Sequence, residues 1–202
     1  ESSCESCGTG KYNGQQGQTS EATCKSCGTG KYNVQQGQTI CTPCEKGKYN
    51  DRQGQTSCKG DCNAGSYITP DKTACLNCIQ GQYQDLNDQQ SCKDDCTAGF
   101  YINSNNTDCV TCIQGQYQNQ NDQSSCKDDC TAGYYINSNK TACLDCRIGQ
   151  YTATEGRSSC LDCKVGYYAE RKASAKCTAC AATSYASKTG SFNASDCTQC
   201  PP

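Results

Sequence analysis

Twelve close pairs of cysteines divide this chain at near-constant intervals. The first members are Cys4, Cys24, Cys41, Cys58, Cys75, Cys92, Cys109, Cys126, Cys143, Cys160, Cys177 and Cys197. Every step from Cys24 to Cys177 is 17 residues, and only the two outer steps are 20. Repetition at a fixed period marks an array or solenoid of stacked supersecondary units. A finer rhythm doubles the period, because Cys58/Cys62, Cys92/Cys96 and Cys126/Cys130 are C-x-x-x-C and alternate with C-x-x-C. Residues 75–108 and 109–142 accordingly match at 26 of 34 positions.

The rest of the chain cannot build an ordinary core. Leu, Ile, Val and Phe together supply 16 of 202 residues, where chains below about 20% usually stay disordered. The 24 cysteines resolve the conflict, since that density belongs to a disulfide scaffold. Closing a loop of about 15 residues is worth roughly 3 kcal/mol in the chain-entropy account, so a bridge in every module can stand in for the missing core. Disulfides on this scale persist in oxidising compartments, which places the protein outside the cytosol, at the cell surface or beyond it. Eighteen basic and 20 acidic residues carry no basic cluster for nucleic acid. No apolar run is long enough to span a bilayer, and no signal peptide or Met is present.

Three residues beyond the second cysteine of most pairs stands Gly, and two residues later stands Tyr. The tyrosines are Tyr12, Tyr32, Tyr49, Tyr67, Tyr83, Tyr101, Tyr117, Tyr135, Tyr151, Tyr168 and Tyr185, one in each of eleven modules. Gly is present in ten, and Thr183 replaces it in the last. Gly fits a backbone with positive φ or a close approach that leaves no room for a Cβ. Each Tyr ring is expected to pack on a neighbouring disulfide, giving a structural ladder. Turn formers and amides, as in NQNDQSS and NVQQGQTI, fill the segments between Tyr and the next Cys. The resulting fold class is a small disulfide-rich solenoid of roughly 17-residue, two-cysteine modules in a 34-residue double repeat, with short β segments, turns and almost no helix.

Two disulfide schemes fit the spacing. In the first, four cysteines form a unit bonded first to third and second to fourth. It gives Cys4–Cys24, Cys7–Cys27, Cys41–Cys58, Cys44–Cys62, Cys75–Cys92, Cys78–Cys96, Cys109–Cys126 and Cys112–Cys130. Cys143–Cys160, Cys146–Cys163, Cys177–Cys197 and Cys180–Cys200 complete it. This scheme is preferred because it uses all 24 cysteines and matches the 34-residue duplication. Its units would be 1–27, 28–62, 63–96, 97–130, 131–163 and 164–202, the first and last of them cut. In the second, each module closes its own loop, as in Cys112–Cys126, and leaves Cys4 and Cys200 over. Four-thiolate zinc sites match the separations too. They are disfavoured by the absence of His, the alternating C-x-x-x-C and the lack of a basic surface. No single pair is marked out for redox chemistry.

C-x-x-C-x-x-G-x-Y…C-x-x-C resembles the cysteine-rich repeat of ephrin-type receptors and, more loosely, tumour necrosis factor receptor and growth-factor-receptor modules. The resemblance covers nearly the whole chain. It implies an elongated, disulfide-laddered rod outside cells, used in that family as spacer, stalk or ligand-binding ectodomain. The Gln/Asn-rich loops, strict period and near-identical tandem copies depart from receptors and resemble cysteine-rich surface proteins of protists.

Three N-x-S/T sequons, at Asn105, Asn139 and Asn193, each begin four residues before a cysteine. Their shared register predicts N-linked glycans projecting from one place in the module. The corresponding residue of an earlier copy is Asp71. The opening ESSC and closing CTQCPP read as cut modules, which predicts a longer chain or an end-to-end junction with another subunit.

The leading functional expectation is an extracellular structural repeat protein, a rod or filament of a cell-surface coat or appendage that self-associates or continues the repeat. The alternative is a receptor or adhesin ectodomain, or a stalk, that binds a protein ligand. Such a site would break the pattern through Phe100, Tyr134 and Tyr167, or through the less regular region 147–200 with Arg147, Arg157 and Arg171. With no His and no singular constellation, an enzyme and a cofactor are not expected. The acidic pairs Asp94-Asp95 and Asp128-Asp129 are read as solvated turns rather than calcium ligands.

Overall fold

The computed structural model describes residues 6–15 and 21–200. Among them, eleven disulfides join the second cysteine of one pair to the first of the next. Modules 1 to 6 are closed by Cys7–Cys24, Cys27–Cys41, Cys44–Cys58, Cys62–Cys75, Cys78–Cys92 and Cys96–Cys109. Modules 7 to 11 are closed by Cys112–Cys126, Cys130–Cys143, Cys146–Cys160, Cys163–Cys177 and Cys180–Cys197.

This is the one-loop-per-module pairing, and it corrects the preferred scheme throughout. Cys24 bonds Cys7 rather than Cys4, Cys27 bonds Cys41 rather than Cys7, and Cys126 bonds Cys112 rather than Cys109. At the other end Cys180 bonds Cys197, and Cys200 is exposed and unbonded. Cys4 lies outside the described residues. The five boundaries of the expected four-cysteine units are each crossed by a bridge, from Cys27–Cys41 to Cys163–Cys177, so the repeating unit is the single module.

The reason is local. Each G-x-Y segment pairs antiparallel with the residues that follow the next first cysteine. Phe100–Ile102 lies against Cys109–Thr111, with Tyr101 opposite Val110 and Ile102 opposite Cys109. All eleven tyrosines take this register, from Tyr12 opposite Lys25 to Tyr185 opposite Thr198. A hairpin that folds back this way puts a module's opening cysteine beside its closing one, before any more distant partner is in reach. Loops after C-x-x-C span 14 residues and those after C-x-x-x-C span 13, so the period is unchanged. The two 17-residue outer loops each contain a 3-10 turn, Glu21–Thr23 and Ala194–Asp196, immediately before the closing cysteine.

The chain forms two compact units, one running to Asp94 with Asn103–Asp108, the other comprising Asp95–Ile102 and the chain from Cys109 onward. Inside each, modules are joined by a backbone ladder. In the first unit the residue after the module Tyr donates its N–H to a carbonyl of the next loop: Asn13 to Gln38, Asn33 to Gln55, Asn50 to Lys72, Ile68 to Gln89 and Gln84 to Asn106, at 2.7–3.1 Å. The second unit repeats it from Ile102 to Gln123, Gln118 to Lys140, Ile136 to Arg157, Thr152 to Ser174 and Ala169 to Ser191, at 2.7–3.2 Å.

Sulfur and this ladder position make the core. Ile68, Ile102, Asn50 and Thr152 are at most 1% exposed, and the second cysteines from Cys7 to Cys163 are buried. Most module tyrosines, in contrast, are half-exposed, and Tyr185 is 40% exposed. Tyr49 and Tyr83 are buried, at 9% exposure, and the deepest burial in the strand falls on the neighbour after the Tyr, on the opposite face. Where that neighbour is an amide, its polar atoms are used. Gln84 Nε2 donates to the Ser91 carbonyl at 2.6 Å, and Gln118 Nε2 donates to the Ser125 carbonyl at 2.7 Å. Ile102→Ala is expected to cost about 3 kcal/mol, against about 1 kcal/mol for the half-exposed Tyr101→Ala. Urea unfolding followed by far-UV circular dichroism measures both.

Each loop of modules 2 to 11 also contains one residue with positive φ, between 54° and 72°: Gly37, Gly54, Lys72, Asp88, Asn106, Asp122, Lys140, Gly156, Ala173 and Gly190. Its function is to satisfy the carbonyl of the cysteine that opens the preceding module. Gly54 does so through its backbone N–H to Cys27 at 2.8 Å, and Asp122 likewise to Cys96 at 2.7 Å. In modules 4, 6 and 8 that N–H is spent on a local turn, and the side chains of Lys72, Asn106 and Lys140 reach Cys44, Cys78 and Cys112 instead. The carboxylate of Asp88 and the amide of Asn87 add bonds to the N–H groups of Cys62 and Ala64, at 2.9 and 2.8 Å.

Modules 3, 5 and 7, which precede the longer cysteine pairs, keep only a single bridge, Tyr49–Lys59, Tyr83–Lys93 and Tyr117–Lys127. There the Lys ammonium lies 5.6–5.9 Å from the Tyr ring centre. Lys59 and Lys93 also pair with Asp51 and Asp85 at 2.8 and 2.7 Å. These bonds hold both carboxyls below the ordinary value of 3.8, so the pairing stabilises fully above that value and is lost as pH falls from it through the lowered folded value. The Lys59 ammonium, bonded to Asp51, is shifted up, and burial and then Asp61 push the Tyr49 phenol up. Those contributions are complete below about pH 10 and are lost above it. With no His in the chain, the melting temperature is expected to be flat between about pH 5 and 8 and to decline only outside that window.

Candidate functional site

The turn that opens each module determines its surface. The residue before the module Tyr donates its N–H to the residue after the second cysteine, as Lys48 does to Glu45 at 3.2 Å, Gln150 to Arg147 at 3.0 Å and Tyr167 to Lys164 at 3.0 Å. Gly is the third residue of this four-residue turn, the place where a type II turn needs positive φ. The ten glycines have φ from 72° to 92°, and Thr183 keeps the geometry at 71°.

The two ends of such a turn, with the Tyr of the previous module and the residue before the closing cysteine, wall a shallow cleft. Among the described residues the same lining recurs in clefts at Tyr32, Tyr135 and Tyr151. One, of about 110 Å³, is lined by Tyr32, Glu45, Lys48, Ser57 and Cys58. A second, of about 240 Å³, is lined by Tyr135, Arg147, Gln150, Ser159 and Cys160. The third, of about 290 Å³, is lined by Tyr151, Lys164, Tyr167, Lys176 and Cys177. They share a frame and differ in charge. Glu45 and Lys48 form an ion pair at 3.6 Å, the lining of the second cleft includes one cation, and that of the third includes two lysines and two tyrosines.

The sequence candidates distribute over this frame. Phe100, Tyr134 and Tyr167 all precede a module Tyr, and Tyr167 lines the third cleft. Arg147 lines the second cleft, whereas Arg157 bonds its own loop through Thr154 at 2.9 Å. Arg171 is exposed, and its carbonyl accepts from the Ser174 hydroxyl at 2.7 Å. The Asp129 carboxylate of KDDC fills the gap between Gly115 and Gly156, where added Cβ atoms would meet it at 2.8 and 3.0 Å. Tyr32, Tyr135 and Tyr151 each share a cleft with a bridged cysteine, and Tyr49 clusters with Cys62 and Ile68. Lys164 and Lys176 were not singled out in the sequence. The available signal was a Lys before the closing cysteine, where most other modules have Ser, Ala or Asp.

All three sequon asparagines are exposed. Asn105 and Asn139 precede the positive-φ residues Asn106 and Lys140. Asn193 instead caps the 3-10 turn of the longer module 11, its Oδ1 accepting from the Ser195 N–H at 3.2 Å. The place equivalent to Asn105 in that module is Thr189, one residue before Gly190. The shared distance to the next cysteine therefore does not place Asn193 with the other two.

No curated protein sequence matches the chain. Residues 133–164 and 155–197 match the model of a family described as tyrosine-protein kinase ephrin type A/B receptor-like. The match spans modules that contain the second and third clefts, and the same bridged hairpin recurs in every module before them. The match makes residues 133–197 similar to ephrin-receptor-like cysteine-rich repeats, and the eleven disulfides among the described residues repeat in a pattern consistent with a cysteine-rich repeat.

Proposed function

We propose that the chain is a non-enzymatic structural segment of an extracellular protein, an array that builds a rod or filament of a cell-surface coat or appendage. The observation that carries this reading is the ladder. In module after module the same N–H meets the same kind of carbonyl in the next loop, so a further copy adds length without redesign. N-glycans on Asn105 and Asn139 would give the array a hydrated flank. N-glycosidase treatment of the secreted protein should then lower its mass, and an unchanged mass would remove the glycan part. Electron microscopy of native, unreduced material tests the whole. Filaments or a regular coat with the module repeat along the axis are expected, and separate monomers at micromolar concentration would overturn self-assembly.

The receptor-type reading is favoured by a different observation, the family match over residues 133–197, where the clefts gain cations. In that case the same array is the stalk of a ligand-binding ectodomain. A soluble protein ligand retained by this chain, and lost on deletion of modules 9 and 10, is the expected result.

A further inference from the structure

The third cleft departs from its equivalents in a way that the repeat does not require. We infer that Tyr151, Lys164, Tyr167 and Lys176 form a binding site for an anionic sugar of a linear sulfated or uronate-bearing glycan. The frame alone does not demand charge here. At Tyr32 the corresponding places hold an ion pair that neutralises itself. At Tyr151 the places after the second cysteine and before the closing one are both Lys, and no carboxylate lines the cleft. Both Lys side chains are exposed, and neither is paired with a carboxylate among the described residues.

Two ammonium groups offer six N–H donors to a sulfate or carboxylate as compact point charges. Two phenol rings supply apolar faces for the C–H surface of a sugar ring, with hydroxyls that stay wet. Tyr167 is the second ring only because this module doubles its tyrosine, as Tyr167-Tyr168, and the turn bond to the Lys164 carbonyl at 3.0 Å holds it beside that lysine. One module earlier the Tyr135 cleft carries Arg147. Cations thus recur at the module step, which suits a polymer whose charge recurs along its length. The site stands apart from the uniform ladder, so its failure would leave the structural reading untouched.

The test is titration of the intact, oxidised chain with a heparin hexasaccharide at low and at physiological salt. Binding that weakens with salt is expected. Lys164→Gln with Lys176→Gln should weaken it about tenfold or more, since each removes a charge-assisted contact. Tyr167→Ala, which leaves the charge unchanged, should weaken it about fivefold. Arg157→Gln with Lys172→Gln removes the same charge outside the cleft and should hold affinity within about twofold. Equal losses in the two double variants would reduce the effect to general electrostatics and overturn the site. Undiminished binding by Tyr167→Ala, poly-glutamate competing as well as the hexasaccharide, or no binding at low salt would each overturn it too.

Discussion

Replacing Cys130 and Cys143 together by serine is expected to lower the stability of the second unit by about 3 kcal/mol, and full reduction by dithiothreitol to unfold the whole chain. The bridge closes a 13-residue loop. Beneath it lies little that could hold the loop without it, since the apolar residue of that module's ladder position is the single side chain Ile136. Loss of the bridge releases loop entropy in the unfolded state and exposes the interior built around the buried Cys130. Removing both partners avoids a free thiol that could exchange with its neighbours. Cys200→Ser, at an exposed and unbonded position, should change stability by less than about 0.5 kcal/mol. Urea titrations read by tyrosine fluorescence and far-UV circular dichroism measure all three. A reduced chain that keeps a cooperative transition would contradict the account.

Gly133→Ala is expected to cost about 3 kcal/mol or more, and Gly166→Ala about 1 kcal/mol. Both glycines hold the same turn position, with φ of 92° and 82°. Both substitutions therefore carry the penalty of an L-residue at positive φ. They differ in what surrounds the new methyl group. At Gly133 an added Cβ would sit 2.2 Å from the carbonyl oxygen of Ala173, backbone two modules further on, which cannot yield without moving its loop. At Gly166 no atom beyond the glycine and its chain neighbours lies within 4 Å of the added Cβ. The difference between the variants isolates the close approach from the φ preference. Equal losses would mean that the turn of module 8 does not seat against the loop of module 10.

Much of this architecture is legible in the cysteines and in G-x-Y. The period, the scarcity of apolar residues and the positive-φ glycines follow from spacing and composition, because disulfide loops and turns are local. The bridging is not legible in the same way. Spacing leaves Cys126 free to meet Cys109 or Cys112, and the choice depends on which strand face the hairpin register turns toward its neighbour. The same register sets Ile102 deeper than its half-exposed neighbour Tyr101. Alternation along a two- or three-residue strand is too short to show as a pattern in the sequence. Asp88, Asp122 and Lys140 at positive φ are equally hidden, since none is a glycine, and their reason is a cysteine carbonyl in another module. The cationic cleft is legible in part. Tyr167 and Arg147 stand out as departures from the repeat, while Lys164 and Lys176 become partners only when the turn and the closing cysteine face each other.

The most direct test of the bridging is a peptide map of the unreduced protein. Cleavage after Lys127 and Lys140 and before Asp95, Asp108 and Asp122 separates Cys96, Cys126, Cys130 and Cys143 from the peptide carrying Cys109 and Cys112. The account predicts that peptide linked to those bearing Cys96 and Cys126, with Cys130 joined to Cys143. The same peptide linked to those bearing Cys126 and Cys130, with none attached through Cys96, would contradict it.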